Sequence, residues 1–198
     1  MRVLGKVRSR LFNSAAQGGG GGLRYGSDVR GVASIEMALI FPMMLIIFVG
    51  LIDASNLMTA NRRVSLTANT LGDLVTQAPG QIWSTDMDGF FSAAQSIMDP
   101  FPADSIVMEF FAFKKLGETA AEPAWSYSNS NQTCGAAPAA DDPEMLKLMT
   151  EDNDVVVSRV CYNWEPVLGI ILGFTTSTIQ DQIMLRPRQT ARIVCTGC

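Results

Sequence analysis

Residues 31–52 read GVASIEMALIFPMMLIIFVGLI, and Glu36 is their single charged side chain. A helix of this length reaches about 33 Å at 1.5 Å per residue, against a hydrocarbon core of about 30 Å. The run is too long for the apolar core of an ordinary cleaved signal peptide, and no Ala-x-Ala cleavage pattern follows it. It reads as a membrane-spanning helix. Two residues inside it need a reason. A carboxylate costs roughly 2.5–3.5 kcal/mol at the centre of a membrane helix and less near its end. Glu36 lies one to two turns in, so snorkelling to the interface is the plain alternative to a functional role. Pro42 removes a helix hydrogen bond and predicts a kink, which membrane helices tolerate when neighbours compensate.

The charge on either side of this run is divided. Residues 1–30 carry Arg2, Lys6, Arg8, Arg10, Arg24 and Arg30 against Asp28, a net +5, whereas residues 31–198 carry nine basic and eighteen acidic side chains, a net −9. The positive-inside rule puts the N-terminus in the cytoplasm and the residues after Asp53 on the far side. Only 17% of the 198 residues are charged, below the quarter or so of a soluble domain, and the length suits one ordinary domain. Gly18–Gly22 is a flexible spacer, and Leu4, Val7 and Leu11 fit either a short basic surface helix or a disordered tail.

The string R-G-x-x-x-x-E-x-A-L-x-x-P-x-x-x-x-x-x-x-G-L-I-D, Arg30 through Asp53, resembles the TadE-like family. Those are pilin-like (pseudopilin) proteins of the bacterial tight-adherence (Tad) pilus system. Arg30 to Met37 also resembles a class III prepilin signal, in which a peptidase cuts after a glycine and glutamate becomes the fifth mature residue. Cutting between Gly31 and Val32 puts Glu36 there. Met37 departs from the pattern, standing where major pilins carry tyrosine and TadE-like proteins more often phenylalanine. The resemblance is strong over about residues 30–60. It implies a cytoplasmic leader (1–31), a transmembrane helix (32–53) and an extracytoplasmic, periplasmic domain (54–198). The implied protein is a single-pass inner-membrane minor pilin or pseudopilin taking part in pilus assembly and surface adhesion, either within the pilus or only in its assembly machinery. Its implied partners are the bilayer, a prepilin peptidase, other pilins and Tad assembly-platform proteins. Cleavage would expose an ammonium on Val32, which attracts a carboxylate strongly in a low dielectric. Glu36 of one subunit could then pair with the Val32 amine of its neighbour, with Pro42 adjusting the helix for packing.

Leu57, Val64, Ala68, Leu71 and Val75 form one helical face, so the helix is expected to run on to about Gln77, before Ala78-Pro79-Gly80. A second helix is expected from Thr85, with Asp88 as its capping-box partner and Met87, Phe90, Phe91, Ala94, Ile97 and Met98 inward. Residues 106–113 and 155–164 read as strands. Residues 167–174 suit a buried strand, turn or short helix, and 184–194, with Pro187, an edge strand or two short pieces. Residues 117–144 read as a long loop. The fold class is α+β, a small antiparallel sheet packed on a long helix and, with the resemblance, pilin-like.

The absence of histidine excludes His-based triads and His-ligated metals. No P-loop, G-x-S-x-G or Rossmann glycine pattern occurs, so no enzyme class and no cofactor is indicated. The acidic body speaks against nucleic acid. Asp86/Asp88, Asp141/Asp142/Glu144 and Glu151/Asp152/Asp154 lack EF-hand spacing and read as solvated loop charge. Cys134, Cys161, Cys195 and Cys198 allow three pairings, which the sequence leaves open. Cys134–Cys161 would staple the loop to the sheet and Cys195–Cys198 would close the tail. Cys195-Thr196-Gly197-Cys198 is also a C-x-x-C, and with it an uncleaved membrane anchor carrying a periplasmic binding or thiol-redox domain is the alternative function. A structural pair fits better, because no helix N-terminus is expected there to stabilise a thiolate.

Overall fold

The computed structural model describes residues 31–116, 120–150, 153–173 and 176–198. The basic leader with its glycine run, and Glu151 and Asp152, lie outside them. The chain divides into two compact units, Met1–Pro42 and Met43–Cys198.

Helix α1 runs Val32–Thr76, 45 residues with Pro42 inside it. Its end falls one residue before the expected one, and Gly80 makes the following turn with φ +93°. In the first unit the helix exposes every residue from Gly31 to Pro42. In the second its face changes character. Ala60, Val64, Ala68, Leu71 and Val75 are buried, whereas Leu57, expected on the same face, is exposed. The face begins with Ala60, which continues the spacing of four to Val64 and Ala68.

The second unit is α+β. A four-stranded antiparallel sheet in the order β3-β2-β4-β5 is built from β2 Ile106–Leu116, β3 Ala120–Ser128, β4 Val155–Trp164 and β5 Ser177–Leu185. Strands β1 Gln81–Trp83 and β6 Val194–Thr196 form a separate parallel pair. Helix α2, Ser84–Met98, starts one residue earlier than expected, and Asp86 rather than Asp88 reaches back, accepting the Trp83 N–H at 2.9 Å. Met87, Ala94 and Met98 are buried, with Phe90 and Phe91 packed against them. Arg63 of α1 donates to the Ile97 carbonyl at 2.6 Å, satisfying one of the last carbonyls of α2.

Alternation sorts the two central strands. Met108, Phe110 and Ala112 of β2 and Val156, Val160 and Tyr162 of β4 join the helices in one core. Val107, Phe113, Val155, Val157 and Cys161 face the other way, under the segment that carries Cys134, Met145 and Met149. Burial on both faces explains why these strands read as near-continuous apolar runs.

The expected loop over 117–144 is corrected. It holds β3 and the start of helix α3, Pro143–Leu148. Pro123 is tolerated because β3 is an edge strand whose register shifts beside it, Ala112 facing Trp125 and Phe113 facing Pro123. The other edge strand, β5, begins at Ser177 rather than near Met184 and stops before Pro187. Residues Val167–Leu172 form a short helix, α4.

Candidate functional site

In the first unit Gly31, Val32, Glu36 and Pro42 stand on one exposed helical segment. A Cβ placed on Gly31 meets nothing within 4 Å. The described fold therefore gives no packing reason for glycine at this position. Glu36 is exposed, and among the described residues its carboxylate has no hydrogen-bond or ion-pair partner. It lies four residues after Val32, one helical turn on and on the same face. Pro42, lacking an N–H, leaves the Ala38 carbonyl without its helical donor. These four residues form an exposed strip, with no enclosed cavity that the chain itself uses for chemistry.

In the second unit the four cysteines form two disulfides, Cys134–Cys161 and Cys195–Cys198, each with Cα atoms 5.7 Å apart. The first fixes the 129–149 segment to β4. A buried ion pair beside it does the same work. Glu109 of β2 and Arg159 of β4 are cross-strand partners on the same side of the sheet as Cys161, 3% and 7% exposed. Their charged groups lie 3.5 Å apart. Glu109 also accepts the Cys134 N–H at 3.2 Å, Arg159 donates to the Ala136 carbonyl at 2.8 Å, and the guanidinium lies over the Phe111 ring. Every partner belongs to the fold, so this cluster is structural. Sequence reasoning passed over it, because an acid in IVMEFFAF and a base in VVVSRV do not by themselves show that they pair across 50 residues.

The second pair closes the tail. Cys195 sits in β6 opposite Ile82, packed against the core, and Gly197, at φ +85°, turns the chain back. Two of the acidic residues read as loop charge, Asp142 and Asp154, have local tasks. Asp142 accepts the Glu144 N–H at 2.9 Å and caps α3. Asp154 is buried with Arg192 3.7 Å away. Burial pushes its pKa up, and Arg192 and Lys114 pull it back only in part. Burial likewise raises the Tyr162 and Tyr127 phenols, with Glu165 and Asp88 adding to it, so both stay neutral at physiological pH.

Asp53, the last residue of the quoted string, has a contact that the sequence did not reveal. It is 6% exposed, and its carboxylate accepts two backbone N–H groups, Val167 at 3.1 Å and Leu168 at 2.8 Å. It thereby caps α4.

These features define a class: a chain with one N-terminal helix long and apolar enough to cross a membrane, leading into an α+β domain with a small antiparallel sheet. A family likeness covers the helix alone. Residues 31–70 match the model of the TadE-like protein family. No curated protein and no solved structure matches the chain.

Proposed function

We propose that the protein is a minor pilin or pseudopilin of a Tad (Flp) pilus machinery. It is made as a single-pass inner-membrane precursor, N-terminus in the cytoplasm and domain in the periplasm. A prepilin peptidase cuts between Gly31 and Val32, and the mature chain takes part in pilus assembly and surface adhesion. Its role is structural rather than enzymatic. The leader is 1–31, the span 32–53 and the periplasmic domain 54–198.

One observation carries this reading. Gly31, Glu36 and Pro42 stand in prepilin register on an exposed apolar helix, at the start of the segment that matches the TadE-like model. The open space at Gly31 supports it, because a glycine that packing does not demand suits a residue read by a protease. Hydrolysis of the Gly31–Val32 bond leaves a carboxylate on Gly31 and an ammonium on Val32. Glu36 of an adjacent subunit is the natural partner for that ammonium, since each charge is costly alone in hydrocarbon. Pro42 and other subunits, together with the assembly platform, then shape the packing of neighbouring helices.

Replacing Gly31 tests this. In Gly31→Leu cells the chain is expected to persist at precursor mass on an immunoblot, because the bulk blocks the peptidase. A Gly31→Leu chain shortened like the wild type contradicts prepilin processing.

A further inference from the structure

Helix α4 is short, apolar and oddly placed. Residues 167–172 read VLGIIL, and no charged residue occurs from Pro166 to Gln180. Such a segment normally seeks the core, yet Val167 is 49% exposed. Its position is fixed from two sides. Asp53 holds its first two amides with both carboxylate oxygens. One residue on from Val167, Leu168 Cδ1 lies 3.3 Å from where a Cβ on Gly50 would stand, so Gly50 is the gap that lets α4 lie against α1.

Both anchor points mark a depth. Gly50 belongs to the apolar run that ends at Ile52, and Asp53 is the first charged residue after Glu36. Gly50 lies about 4.5 Å along the helix axis from Asp53, on the hydrocarbon side. Interfacial helices bury their apolar face about 5–10 Å into the headgroup boundary. Just beyond, on the domain side, the half-buried Trp164 lines a cleft of about 310 Å³ with Asn56, Phe101 and Glu165. Trp is a residue that favours the membrane–water interface, one end apolar and the other wet.

We propose that α4 is a second membrane contact, a short apolar helix clamped by Asp53 at the domain end of the span and bedded in the interfacial layer of that leaflet. Continuity with the apolar run identifies the occupant as lipid. This rests on reading α1 as membrane-spanning. Two contacts in place of one hold the domain against rotation about the axis of α1.

The test uses the full chain with both disulfides oxidised, reconstituted in vesicles of phosphatidylethanolamine and phosphatidylglycerol. An environment-sensitive fluorophore is attached in turn to Val167→Cys, to Phe48→Cys within the apolar run, and to Ser126→Cys on β3. Spin-labelled lipid is the quencher. Quenching with blue-shifted emission at 48 and 167, and neither at 126, is the expected result. Quenching at 48 with position 167 behaving like 126 overturns the inference and leaves the span intact. No quenching at 48 or 167 overturns both the inference and the spanning reading beneath it.

Discussion

Glu109 and Arg159 show what a buried charge does in this fold. Each is nearly sealed from water, and each has a second partner in the segment that covers the sheet. Removing one partner leaves the other charge stranded, at a cost of about 3–5 kcal/mol. Arg159→Met is therefore expected to lower unfolding stability by that order in urea titration. The double variant Glu109→Leu/Arg159→Met should regain part of it, short of about 1–3 kcal/mol for each of the orphaned groups, the Cys134 N–H and the Ala136 carbonyl. Asp154 behaves in the opposite sense. Its pKa is raised above the ordinary 3.8, because burial costs the carboxylate more than Arg192 and Lys114 return. A raised acid is favourable to the fold when protonated, below its unfolded value, and that contribution is lost as pH rises through the folded value. Asp154→Asn should therefore stabilise the domain at neutral pH, with the gain fading as pH falls through the folded value toward 3.8. Thermal midpoints of wild type and variant across that range check it, and a less stable variant at neutral pH contradicts the sign.

At the scale of elements, α1 comes close to the sheet at Gly72. A Cβ there would stand 2.9 Å from Leu185 Cδ1, 3.1 Å from Ile183 Cγ2 and 3.3 Å from Ser158 Cβ. Gly72→Val overfills this contact and is expected to cost about 1–3 kcal/mol in chemical denaturation. Ser158, whose hydroxyl is buried without a partner among the described residues, is the small residue on β4 that lets the helix approach. Asp53→Ala removes the cap of α4, a loss of about 0.5–2 kcal/mol. Faster amide exchange at Val167 and Leu168, with β2 and β4 unchanged, is the expected signature. Unchanged exchange at those amides contradicts the capping role. These contacts also show where sequence reading succeeds and where it stops. Helix α1 was legible almost to its last residue, because its apolar run, its periodic face and Ala78-Pro79-Gly80 agree. Strand β4 was legible to the residue, since burial on both faces made it a continuous apolar run. Strands β3 and β5 were not, because edge strands tolerate Pro123 and polar residues that resemble loop. Asp53 and the Glu109–Arg159 pair were out of reach because their partners lie 114 and 50 residues away. Local pattern carries no such distance.

For the whole molecule, the decisive feature is the distribution of charge about one apolar helix. The leader holds six basic side chains, and removing residues 1–31 changes the chain from a net −4 to a net −9. On the proposed reading, that step would take away the cytoplasmic anchor of the span and leave an acidic domain on a helix whose one charge within the apolar run is Glu36. Under that proposal the helix would sit in lipid and leave it once Glu36 gains a partner in a neighbouring subunit. The account depends on the cut at Gly31, and the most direct test is the N-terminus of the protein as it sits in the cell. Mass spectrometry of the membrane fraction and of material sheared from the surface reads it. The account predicts a chain starting at Val32 in the membrane, with the same start in the sheared fraction once it enters a pilus. A chain starting at Met1, with nothing in the sheared fraction, contradicts it.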